Sequence, residues 1–142
     1  MGMIENMIPE RLQIIIDQFK SAPKPLRLQL LLEYAGKVKP LPEGLDGQLE
    51  RVHECQTPFF LLTEVDDNQV QLHFDAPPEA PTTRGFAGIL TEGLNGLDKA
   101  AVLGTPSDFY NHMGLAEVIS PLRLRGMSAI VSRLKRQLEE AT

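Results

Sequence analysis

Cys55 is the single cysteine of the chain. It stands in Arg51-Val52-His53-Glu54-Cys55-Gln56-Thr57-Pro58-Phe59-Phe60, where a strand-like passage turns at Gln56-Thr57-Pro58 before an apolar run. A lone thiol makes no internal disulfide, so it either packs or reacts. Free cysteine is among the most buried residue types, which favours packing. The polar rim of Arg51, His53, Glu54, Gln56 and Thr57, on a turn at the end of a sheet, favours reaction. On the residues alone both readings stay open. A thiol reacts as thiolate, so what matters is what would lower its pKa. In a regular strand His53 and Arg51 share a side with Cys55, as a candidate base and a candidate cation, and Glu54 lies on the other. Equally, His53 and Arg51 are simple solvent-facing strand residues.

Other chemistries are less well marked. A structural zinc site usually takes four nitrogen or sulfur ligands at short spacings, whereas Cys55 with His53, His73, His112 or Asp75 is a scattered set. A Cys–His hydrolase needs a base, an orienting group and an oxyanion hole, none of which the sequence marks. Gly85, Gly88 and Gly93 lie within a helical pattern with no Gly-Lys-Ser/Thr after them, which argues against a phosphate loop.

The elements that must position Cys55 follow from periodicity. Leu12, Ile15, Ile16 and Phe19 after Pro9 predict an amphipathic helix ending at Ser21-Ala22-Pro23. A second is expected after Pro25, with Leu28, Leu31, Leu32 and Ala35 as a core stripe that Leu26 and Leu30 widen, and Gly36 near its end. After a loop from Pro40 to Gly47 come three predicted strands: Gln48 to Glu54, Phe59 to Val65, and Val70 to Asp75. Asp66-Asp67-Asn68 joins the last two as a hairpin, so the sheet is antiparallel. Beyond Pro81, Thr83, Ala87, Leu90 and Leu94 mark a third helix, whose three glycines predict a close neighbour. Asn95-Gly96 is a turn, and Leu97 to Leu103 a short helical segment. Thr105-Pro106-Ser107-Asp108 reads as a capped helix start, and Ser120-Pro121 opens the last helix in the same way. There Met127, Ile130, Val131, Leu134 and Leu138 form the apolar face. Arg133, Lys135 and Arg136 read as a solvated face, or as a docking surface for an acidic partner patch. The expected fold class is α+β: a small antiparallel three-stranded sheet flanked by N-terminal and C-terminal helices.

Bulk properties agree with a soluble globular protein. The 142 residues are read as a single domain over 1–142, with 1–7 a loose leader, long enough to bury about two-thirds of the unfolded surface. Fourteen basic against 19 acidic side chains give a net charge of −5, which argues against a nucleic-acid surface. No apolar run approaches the ~20 residues needed to span a bilayer. The N-terminus lacks the order of a signal peptide, and Asn6 stands where a myristoylation motif needs Ser or Thr. One unpaired thiol fits a reducing compartment, so the expected location is the cytoplasm, with no membrane and no nucleic-acid partner.

Val52-His53-Glu54-Cys55-Gln56-Thr57, followed by Phe59-Phe60-Leu61, resembles the V-x-G-C-Q-S signature and strand of the SufE family, the sulfur-acceptor proteins of iron–sulfur cluster assembly. Residues Asp75 to Phe86 resemble the family's D-S-D-A-x-I-V-x-G-L stretch. Residues Ile119 to Met127 resemble its L-S-P-x-R-x-x-G-L segment. The opening helices and Leu41-Pro42 match as well, so the resemblance runs through nearly the whole chain in order.

The resemblance implies a SufE/IscU-like fold and a persulfide relay. A pyridoxal-phosphate cysteine desulfurase (SufS-like) would pass sulfur to Cys55, be stimulated by the acceptor, and leave it to deliver the sulfur to a scaffold complex (SufBCD-like). Such an acceptor is a carrier and activator rather than a stand-alone enzyme, and needs no cofactor and no metal of its own. Arg123 matches the family's arginine after Ser-Pro, a candidate stabiliser of the sulfur anion or organiser of its loop; the plainer role is to cap or salt-bridge the last helix. His53 remains a candidate helper. The alternative function is a regulatory binding module of a desulfurase, with Cys55 incidental. Three departures stand out. Glu54 replaces the family's glycine, which removes backbone freedom and brings a carboxylate that raises the thiol pKa if it lies close. Pro77-Pro78 occupy the first positions of the acidic stretch, leaving Glu79, and Asn111 stands where a glutamate is often found.

Overall fold

Prolines set the helical boundaries at the start of the chain. The computed structural model describes residues 8–141; the leader expected over 1–7 lies outside them. Pro9 precedes α1 (Glu10–Ser21), and Leu12, Ile15, Ile16 and Phe19 are all buried, as their spacing predicts. Pro23 precedes α2 (Lys24–Tyr34), and here the expectation fails in part. Of the leucine stripe only Leu31 is buried, while Leu26, Leu28 and Leu32 are exposed. The reason is the way α2 meets α3 (Pro81–Leu94). A Cβ at Gly85 would overlap the Leu31 carbonyl, and one at Gly88 the Tyr34 carbonyl. The two helices touch backbone to backbone along a narrow line, which buries Leu31, half-buries Leu30 and Ala35, and leaves Leu26, Leu28 and Leu32 outside.

Helix α3 is buried over most of its length and packs against α1, α2 and the sheet. A helix apolar on nearly all sides belongs in the centre of a fold, and this one does. The sheet order is β1 (Glu50–Arg51), β2 (Phe60–Asp66), β3 (Gln69–Asp75), antiparallel throughout. Asp67 and Asn68, at φ 53° and 61°, make the two-residue hairpin turn whose twist suits antiparallel strands. Leu61, Thr63, Val70, Leu72 and Phe74 form the buried face. At the outer edge of β3, Val70 exchanges backbone hydrogen bonds with Gly96 and Leu97. Asn95 Oδ1 accepts from the Leu72 N–H at 2.7 Å.

The first strand is far shorter than Gln48 to Glu54. Val52 N–H still donates to the Phe59 carbonyl at 2.8 Å, but Cys55 N–H then turns back to the Val52 carbonyl at 3.2 Å. A side chain completes that edge of β2: Gln137 accepts from Thr63 N–H at 2.7 Å and donates to the Leu61 carbonyl at 3.2 Å.

Asp98 caps α4 (Lys99–Leu103) by accepting from Ala101 N–H. Thr105 does not open a further helix. Its hydroxyl donates back to the Ala101 carbonyl at 3.0 Å, and the chain continues as 3-10 turns, Phe109–Met113 and Leu115–Glu117, separated by Gly114 at φ 69°. Local capping signals are met by the preceding helix, and the left-handed glycine interrupts any longer run. Ser120 does cap the last helix, α5 (Pro121–Glu140), whose predicted apolar face is buried. No helix among the described residues is long and apolar enough to cross a membrane.

Candidate functional site

Val52 and Phe59, both fully buried, close the neck of a loop over residues 53–58. Outside that neck His53, Glu54, Gln56 and Pro58 face solvent, and Cys55 alone turns fully inward, 5% exposed. Its sulfur lies 3.9 Å from the Gly126 carbonyl on the second turn of α5, a weak contact for a weak donor. A Cβ at Gly126 would stand 3.3 Å from that sulfur, so the glycine makes room for it. Beside the sulfur, Thr83, Leu122 and Arg123 help to line a cavity of about 10 Å³, on the order of the space one water occupies. The pit is small, and it has charge at its mouth.

Two turns along α5 from Gly126, Arg133 reaches the same loop. Its guanidinium donates to Glu54 at 2.8 Å, to the Arg51 carbonyl at 2.7 Å and to Glu50 at 3.3 Å. Glu50 also accepts from Arg136 at 2.6 Å and from Gln137 at 3.0 Å. Those bonds, led by Gln137, hold the Glu50 carboxyl below its usual range. The thiol is moved the other way. Burial, and after it the Glu54 carboxylate, push Cys55 up to about 11, and Arg133 opposes them. At neutral pH the resting sulfur is therefore a protonated, unreactive thiol.

The residues expected at the site separate. Arg123 is half-buried at the cavity wall beside Cys55, with its backbone N–H taken by Ser120 Oγ at 3.3 Å; its guanidinium has no ion-pair partner among the described residues. His53 does not share a face with Cys55. The strand ends at Arg51, so alternation breaks at the turn and leaves both His53 and Arg51 pointing to solvent. The cation that acts on the thiol is Arg133, read from sequence as part of a solvated helix face. A signal for it did exist: Gly126 and Arg133 are seven residues apart, hence on one side of a helix. Among the described residues no group of three or more His, Cys, Asp and Glu is placed to hold a metal ion.

The family described as SufE, Fe-S metabolism associated domain, matches residues 13–138. An uncharacterized SufE-like protein of Mycobacterium tuberculosis is 49% identical over 136 residues, covering 94% of this chain and 95% of its own. The cysteine desulfuration protein SufE of Plasmodium falciparum is 22% identical over 135 residues, 92% of this chain and 54% of its own. In structure, the chain is similar to a hypothetical protein from Thermus thermophilus solved in solution. The TM-score is 0.86 at 51% identity, over 94% of this chain and 97% of the other.

Proposed function

The chain belongs to the SufE family of Fe-S metabolism associated domains, and from that premise we propose that it is a persulfide acceptor for a pyridoxal-phosphate cysteine desulfurase. The Cys55 thiolate attacks the outer sulfur of the desulfurase's cysteine persulfide. That S–S bond breaks, the enzyme's cysteine leaves as thiolate, and a new S–S bond forms on Cys55. One sulfane sulfur moves, and no electrons are gained or lost overall. The chain then passes the sulfur to an iron–sulfur cluster scaffold complex. A relative named as a cysteine desulfuration protein supports this chemistry.

The observation that carries the reading is the hidden thiol at the bend of a short loop closed at its neck by Val52 and Phe59. Burial is the first cause of the high thiol pKa, so swinging the loop outward returns Cys55 toward its ordinary 9.0. Docking on the desulfurase uncovers the sulfur and activates it in one motion. Arg123, at the cavity wall, balances the charge of the persulfide anion. The whole chain acts as a single SufE-like unit in the reducing cytoplasm, where such a thiol stays free.

The test is the intact mass of the protein after incubation with a pyridoxal-phosphate cysteine desulfurase and cysteine. Wild type gains one sulfur that a reductant removes, and Cys55→Ala gains none. If neither gains sulfur while both still accelerate the desulfurase, the chain is a regulatory module and Cys55 is incidental.

A further inference from the structure

Residues 53–58 are tied to the rest of the molecule by very little. Gln56, Thr57 and Pro58 make no hydrogen bond among the described residues, and Cys55 N–H bonds only within the loop. Beyond packing against the cavity wall, two polar contacts remain among the described residues: the Cys55 sulfur at 3.9 Å from the Gly126 carbonyl, and the Glu54 carboxylate at 2.8 Å from Arg133. Glu54 stands where the resembled signature has a glycine, and the group it meets is anchored independently. Arg133 is held on α5 by the Arg51 carbonyl and Glu50, just below the neck of the loop.

We infer that Glu54 and Arg133 form a latch that keeps the Cys55 loop seated on α5, with Arg133 as a positioning residue for the sulfur rather than a surface charge. A glycine before the cysteine leaves a loop free to open. A glutamate there restricts the backbone and adds one bond that opening must break. The pair is partly open to water, with Glu54 51% and Arg133 21% exposed at the side chain, so its contribution is that of a surface ion pair. Such a pair shifts the closed-to-open balance of the loop by about two- to fivefold. Opening leaves Arg133 paired with Glu50, so the loop departs while the neck stays closed.

The proposal rests on the acceptor reading only for why the loop has to open. Its test needs no desulfurase. The rate of Cys55 alkylation by iodoacetamide is measured in wild type, Glu54→Gln, Arg133→Gln and the double variant. Each rate is divided by the thiolate fraction, taken from the ultraviolet absorbance of the thiolate across pH. The corrected rate is expected to rise about two- to fivefold in Glu54→Gln, and Glu54→Gln is expected to add nothing once Arg133 is replaced. Arg133→Lys, which keeps the charge, restores part of the wild-type protection. If Glu54→Gln changes the thiolate fraction but not the corrected rate, the latch is overturned and Glu54 acts on the thiol through charge alone. An equal rise in both Arg133 backgrounds overturns it too. Glu54→Gln lies on an exposed loop and leaves the core intact, so the test stands even if an Arg133 variant folds poorly. A failed sulfur transfer would leave these rates interpretable, so the two readings fall separately.

Discussion

Among the places where this molecule depends on the missing side chain of a glycine, two do so to different ends. At the α2–α3 seam, Gly85 and Gly88 let α3 lie against the Leu31 and Tyr34 carbonyls, and the obstacle to any Cβ is backbone on a neighbouring helix. At the sulfur pit, Gly126 lets α5 lie against Cys55, and the obstacle is one sulfur atom on a loop held by its neck and two polar contacts to α5. The first contact cannot give without separating two helices. The second can give by letting a loop move. One glycine pair is a requirement of the fold, and the other glycine holds a thiol where a small displacement changes its chemistry.

The sharpest way to break this comparison is Gly88→Ala. Its Cβ overlaps the Tyr34 carbonyl with no flexible side chain to yield, so stability should fall by about 3 kcal/mol or more in urea unfolding. A loss under about 1 kcal/mol would mean that the seam is as compliant as the loop.

The next effect belongs to the thiol itself. Its folded pKa of about 11 lies above the ordinary 9.0, so the neutral form is the one the fold favours. That contribution is fully present below pH 9 and is lost as pH rises through 11. Over that interval wild type should lose about 2 kcal/mol more stability than Cys55→Ala, in which groups other than the thiol are unchanged. Parallel stability–pH curves for the two proteins would mean that the thiol is not held in its neutral form by the fold.

The smallest change in stability is expected for Gly126→Ala. Replacing a helical glycine favours the helix by about 1 kcal/mol, and crowding the sulfur offsets that gain, so net stability should stay within about 1 kcal/mol of wild type. Alkylation of Cys55 should nevertheless become faster, because the new methyl pushes the sulfur outward. Unfolding on the scale of Gly88→Ala would erase the distinction between the two glycine contacts.

Much of this architecture was legible in the residues. The spacing of Leu12, Ile15, Ile16 and Phe19 gave α1, Ser120-Pro121 gave the start of α5, and the period-two run from Val70 gave β3. The glycines of α3 announced a close neighbour, though not which one. The spacing of the α2 leucines predicts core, yet Leu26, Leu28 and Leu32 are exposed, because a stripe shows only that a face is apolar, while the width of its cover depends on what packs there. A regular strand would set His53 on the side of Cys55, and the turn after Val52 leaves it instead as the solvent-facing residue of the other reading.

By itself, then, the sequence determined most of the helices, the antiparallel hairpin and the one thiol of the chain. These depend on local periodicity and on the chemistry of a single side chain, which neighbours in sequence control. Only the tertiary structure decided that the thiol is hidden, that Gly126 and Arg123 flank it, and that Arg133 meets Glu54 from 79 positions further along the chain. Burial and ion pairing are properties of surfaces brought together by folding. No spacing within the loop could have shown which face of α5 would lie beneath it.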